Sequence, residues 1–121
     1  EEENLILASG ETNSNDEVYI EADDNMRFVT LNKDINEVKH VTGELVGISK
    51  VSKEALSALC DLVRNDEQYK NWDYERGFCQ ILGAHDFFVK KIDDLIWCEI
   101  DDENHLKRAE NLIYPKLLER E

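Results

Sequence analysis

Four of the five residues from 99 to 103 carry carboxylates: Glu99, Asp101, Asp102 and Glu103. They follow directly on the apolar run Leu95-Ile96-Trp97-Cys98, which reads as a buried strand. Residues two apart on a strand share a face, so the spacing aims Glu99 and Asp101 at one point. Two carboxylates converging there suit a hard divalent cation such as Mg²⁺, which takes oxygen ligands and keeps waters and substrate phosphates around it. In open α/β sheets, ligands gather where the carboxyl ends of strands meet helix starts. A helical pattern begins at once, with Leu106, Ala109 and Ile113 at spacings of three and four. The same acids suit a helix cap, with Asp101 or Asp102 at the N-cap and Glu103 facing the helix dipole. The two roles are compatible, Asp102 capping while Asp101 faces the sheet edge.

The elements that must carry this corner are legible in order. Leu5 to Ala8 reads as a short buried strand, and Ser9 to Asp16 as a loop. Glu17–Glu21 and Met26–Lys33 alternate on either side of Ala22-Asp23-Asp24-Asn25, a β-hairpin pattern. The strand Gly43–Val51 places Glu44, Val46, Ile48 and Lys50 on one face, and its two glycines leave room for close approach by a ligand or another backbone. Ser52 reads as the cap of a helix ending near Asn65, with Ala55, Leu56, Leu59, Cys60 and Val63 as its apolar stripe. A second helix is expected from about Tyr74 to Leu82, stopped by Gly83. Phe87-Phe88-Val89 opens another strand, Asp93-Asp94 turns into the Leu95 run, and the last helix weakens at Pro115. The order predicts a single α/β domain over residues 1–121, a mixed sheet with flanking helices.

Composition narrows the partners. The 121 residues carry a formal net charge of −14, which repels nucleic-acid phosphates and anionic membranes. No apolar run approaches the roughly 20 residues of a membrane span, and no signal-peptide pattern opens the chain. Cys60, Cys79 and Cys98 lack metal-type spacing and read as reduced core residues of a cytoplasmic protein. His40, His85 and His105 lie far apart and read as surface residues. The sequence has no Gly-rich phosphate loop and no nucleophile elbow.

The set Gly43-Glu44-Leu45-Val46-Gly47-Ile48-Ser49-Lys50, then Tyr74-Glu75, then Trp97-Cys98-Glu99-Ile100-Asp101, resembles the C-terminal half of a nucleotidyltransferase family. The branch it resembles most is the choline-phosphate and 2-aminoethylphosphonate cytidylyltransferases, within the sugar-phosphate nucleotidyltransferases, over about Val18 to Leu117. The resemblance implies a Rossmann-like fold of the nucleotide-diphospho-sugar transferase kind. It implies an activity that joins CMP (or another NMP) from CTP or another NTP to a small phosphate or phosphonate, releasing pyrophosphate. It further implies Asp101 as one of two aspartates holding Mg²⁺, and Lys33 as a phosphate-contacting catalytic lysine. Glu44 would sit in the acceptor pocket with Tyr74 and Glu75, a carboxylate and an aromatic face suited to an ammonium group. The family's Gly-rich triphosphate loop and its first metal-binding aspartate have no counterpart in these residues. The expectation is therefore the acceptor-binding part of a longer enzyme, inactive alone, with an exposed sheet edge that invites a homodimer. A non-catalytic acidic binding or regulatory module on the same fold is the alternative, and an acidic interaction domain without a small-molecule site a third.

Overall fold

The computed structural model describes residues 3–14 and 17–121. Five strands form one mixed sheet: β1 (Leu5–Ser9), β2 (Tyr19–Ala22), β3 (Phe28–Asn32), β4 (Gly43–Lys50) and β5 (Phe88–Ile92), in the order β3-β2-β4-β1-β5. Only β1 and β5 pair in parallel, and the other three pairings are antiparallel. The hairpin expected from alternation is present as β2–β3. Its second strand starts at Phe28, because Met26 takes a positive φ of 62° in the turn.

Two helices cover one face of this sheet. Helix α1 (Lys53–Asn65) starts at Ser52, whose hydroxyl accepts from the Ala55 amide at 3.1 Å. Helix α2 (Tyr74–Ile81) ends before Gly83, whose φ of 95° is the left-handed stop expected there. Between them a 3₁₀ turn, Glu67–Asn71, is capped by Asp66. The core lies between sheet and helices: Ile6, Ala8 and Ile20 from the strands meet Ala55 and Phe78, all fully buried. Phe78 of α2 stacks on Phe87, centroids 4.2 Å apart.

Strand β4 is where the sheet departs from regularity. Ala8 pairs with Leu45 but Ile6 with Ser49, so two steps of β1 match four of β4. Gly47 sits inside that bulge with φ 94°, a conformation that L side chains rarely adopt. Gly43 answers to a different demand: a Cβ there would lie 2.6 Å from the Ser9 carbonyl. Backbone, rather than a ligand, makes the close approach at this glycine.

The run from Leu95 to Ile100 does not form the buried strand its composition suggests; residues 95–100 have no regular structure. A strand needs a free edge to pair with. The outer edge of β5 is already engaged, since Phe28 donates to the Phe87 carbonyl and Val89 to the Met26 carbonyl, both at 2.8 Å. Arg27 and Phe88 thereby form an antiparallel bridge that joins the entry of β3 to β5. Leu95 instead donates back to Ile92 at 3.3 Å, and the chain leaves the sheet with Leu95 to Cys98 half-buried and Glu99 and Ile100 exposed.

The last helix is α3 (Glu103–Arg108), a π turn (Ala109–Ile113) and α4 (Tyr114–Glu119) in succession. Pro115 lacks the amide that an α-helix needs, and the wider turn just before it absorbs the defect. His105, Arg108 and Ala109 are half-buried and Ile113 is buried, a single narrow row. Leu106, Leu112, Leu117 and Leu118 are exposed. Among the described residues, no helix is long and apolar enough to cross a membrane.

Candidate functional site

A concavity of about 420 Å³ lies between the sheet and the start of α2. Val18, Leu31 and Leu45 form its apolar floor, and Asn32, Lys33, Asp73, Glu75 and Arg76 its polar walls. Lys33 is there because β3 ends at Asn32, one residue earlier, so its exposed side chain stands at the rim. Glu75 is there because it lies in the first turn of α2, and it is only 8 % exposed. Arg76 stands over the Trp72 ring at 4.1 Å from its centroid, a cation–π contact that fixes this wall.

Lys33 and Glu75 are therefore two of the expected site residues that do line one cavity. Tyr74 is their neighbour rather than a lining residue. Its hydroxyl donates to the Gly47 carbonyl at 3.1 Å, so the β4 bulge is what seats the ring. Burial of that hydroxyl, and next the Glu75 carboxylate beside it, push the Tyr74 phenol up to about 12, with the Ser49 hydroxyl acting the other way. At neutral pH this phenol is a hydrogen-bond donor held against a carboxylate, not a base.

Glu44 does not join them. Leu45 faces the cavity and the core, so its neighbour Glu44 points through the opposite face of β4. There it is 3 % exposed and fully engaged: one oxygen accepts from the Thr12 amide at 2.6 Å, the other from the Thr12 hydroxyl at 3.3 Å. A second concavity of about 350 Å³ lies on that side, lined by Glu44, Gly43, Tyr19 and Lys91 among others. The acceptor pocket expected to hold Glu44, Tyr74 and Glu75 together is thus split by the sheet.

The acidic corner divides as well. Asp102 is the N-cap of α3, its carboxylate accepting from the His105 amide at 2.8 Å. Asp101 keeps an exposed carboxylate, while its backbone amide donates to His105 Nδ1 at 3.1 Å. His105 is no free surface residue: its side chain is 22 % exposed, between the two aspartates. With no strand at 95–100, Glu99 and Asp101 are not aligned by a pleat. Among the described residues no group of three His, Cys, Asp or Glu side chains is placed to hold a metal ion. Asp101 offers one exposed carboxylate, which for Mg²⁺ would be an incomplete ligand set.

The cysteines also separate. Cys60 is exposed on α1, not in the core. Cys79 lies against the Leu31 backbone and the Thr30 hydroxyl at β3, and burial pushes its thiol up, away from the reactive thiolate. Sequence spacing overlooked Asp73 and Arg76. The capping position before Tyr74 was the signal for Asp73, and the i, i+4 step from Trp72 the signal for Arg76. No protein-family model matches the chain.

Proposed function

We propose that this chain supplies the acceptor-binding part of a Mg²⁺-dependent nucleotidyltransferase. The acceptor would be a small zwitterion, a phosphate or phosphonate carrying an ammonium group such as choline phosphate. One observation carries the reading. A single cavity of about 420 Å³ is walled by two cations, Lys33 and Arg76, and by two carboxylates, Asp73 and the buried Glu75. A simple anion or a simple cation leaves one pair uncompensated, and a zwitterion satisfies both. Glu75 is buried, and a buried carboxylate gains most from an opposite charge placed on it, which gives the ammonium end its preferred place there.

The chemistry asked of these residues is positional. Lys33 at the rim holds the acceptor's anionic group and keeps its oxygen aimed outward for in-line attack on an α-phosphorus. Glu75, braced by the Tyr74 phenol, holds the opposite end, so the molecule cannot turn around in the cavity. The part of the reading that gives Asp101 to Mg²⁺, which when bound would neutralise charge on the transferring phosphoryl group, rests on the resemblance alone, since the helix that Asp101 precedes is tied to the other side of β4 from this cavity. The Rossmann-like assignment belongs to this reading too and rests on the resemblance; the five-stranded mixed sheet with helices on it supports the α/β class.

A second reading, a binding or regulatory module without chemistry, draws on the incomplete ligand set at Asp101 among the described residues. One experiment separates them. Pyrophosphate release is measured for the longest natural chain containing these residues, with Mg²⁺, CTP and a panel of small phosphates and phosphonates. Transfer is expected with a zwitterionic acceptor, falling at least a hundredfold in Asp101→Asn and rising about tenfold or more in acceptor KM in Glu75→Gln. Acceptor binding without pyrophosphate release, unaffected by Asp101→Asn, decides for the binding module. Neither binding nor release ends both readings.

A further inference from the structure

The side of β4 that faces away from the cavity carries a chain of contacts that the proposed function leaves unused. Glu44, nearly inaccessible, grips Thr12 through both the amide at 2.6 Å and the hydroxyl at 3.3 Å. The Thr12 carbonyl in turn accepts from Arg108 Nη2 at 3.1 Å, across 96 residues of sequence. Arg108 is the last residue of α3, where the π turn begins. The three residues thus run in series from the middle of the sheet to the middle of the C-terminal helix.

That helix docks through a narrow face. Its docked face is the single row His105, Arg108, Ala109 and Ile113. A second tether, Arg120 to the Asp94 carbonyl at 2.8 Å, is exposed and at the far end. A carboxylate accepting a backbone amide is among the stronger protein hydrogen bonds, and burial at Glu44 shields it from water and salt. Residues 11–14 have no regular structure, and Glu44 is what accepts from the Thr12 amide. Among the described residues, the bonds from Glu44 are what tie Thr12 to β4.

We propose that Glu44 is a positioning residue: acting through Thr12 and Arg108, it sets where the C-terminal helix lies on the sheet. The consequence for Asp101, which immediately precedes that helix's cap, rests on the nucleotidyl-transfer reading. The coupling itself does not. A carboxylate on one face of β4 thereby governs an acidic corner that it never touches.

Amide hydrogen exchange on the full chain tests this, with no substrate needed. Glu44→Gln keeps the size and one acceptor but loses the charge and one acceptor position. It is expected to speed exchange about tenfold at Thr12 and at the helix amides from 106 to 113, with Ile6 and Ala8 in the sheet unchanged. Arg108→Gln is expected to speed the same helix amides and also Thr12, since coupling runs both ways. Arg108→Lys is expected to restore part of the protection. The double variant should exchange no faster than the faster single one, because both break one series. Loss of protection at Thr12 alone in Glu44→Gln, or multiplied effects in the double variant, would overturn the proposal. Should Glu44→Gln not fold, Thr12 in the Arg108→Gln protein decides: an unchanged amide there overturns it equally. Failure of the exchange test leaves the transferase reading intact, and silence in pyrophosphate release leaves the coupling intact.

Discussion

The sheet with α1 and α2 and the segment from Leu95 onward have similar apolar content and opposite fates. In the first, the apolar residues that lie between sheet and helices end up buried, Ile6, Ile20, Phe78 and Phe87 being nearly inaccessible, while Ile48 and Leu56 stay outside. In the second, Ile100, Leu106, Leu112, Leu117 and Leu118 remain exposed at 43–55 %. Both regions have the residues for a core, but only the first has an opposing layer. A pattern specifies a face, and burial requires something for that face to meet.

The sharpest way to break this contrast is to remove a side chain from each region. Phe78→Ala should cost about 3–5 kcal/mol and lower the urea midpoint of the whole domain, because its stacked partner Phe87 loses contact too. Ile113→Ala, though buried, should cost about 1–2 kcal/mol, seen mainly as faster exchange in the C-terminal helix, since the thin layer around it can close. Equal global losses would mean that the helix folds as one unit with the sheet. Smaller still is the cap: Asp102→Ala should lower helix stability by about 1 kcal/mol, read as reduced far-ultraviolet helicity, with Phe78 packing unaffected.

Titration sharpens the comparison from the other side. Tyr74 holds its proton more tightly folded than unfolded, so its contribution is complete below pH 10. It should be lost as pH rises from 10 through about 12, and Tyr74→Phe should remove that part of the alkaline slope. The ring is 52 % exposed, so solvent screening keeps the change small. Thiol labelling gives the smallest signal: Cys60 should react first and Cys79 last, and a fast Cys79 would mean that α2 opens from β3.

Much of the first region was readable in the sequence. Ser52 and Gly83 bound their helices as their chemistry requires, and the alternation around Ala22 to Asn25 gave the hairpin. Lys33 and Glu75 were singled out and do share a cavity. Glu44 was misplaced because strand parity sends it away from Leu45, and nothing local says which face the helices will cover. The Leu95 run was misread for a related reason. Composition favours a strand there, but its available edge is occupied by residues 26–28, some seventy positions earlier in the chain. Cys60 illustrates the converse, an apolar-stripe residue that α1 turns outward.

The π turn before Pro115 has a consequence for how this protein tolerates change in length. One such turn holds a residue more than an α turn over the same span, so the helix already contains the equivalent of an insertion. Deleting one residue between 109 and 113 would restore ordinary winding up to Pro115 and bring its ring against a carbonyl one turn earlier. The N-terminal part, with Asp102 and Arg108, would keep its place. Everything from Tyr114 on would swing by about a quarter turn or more, carrying Arg120 away from Asp94. The length of this helix is thus fixed by its proline, and indels are better absorbed in the irregular stretch 95–100 that leads into it.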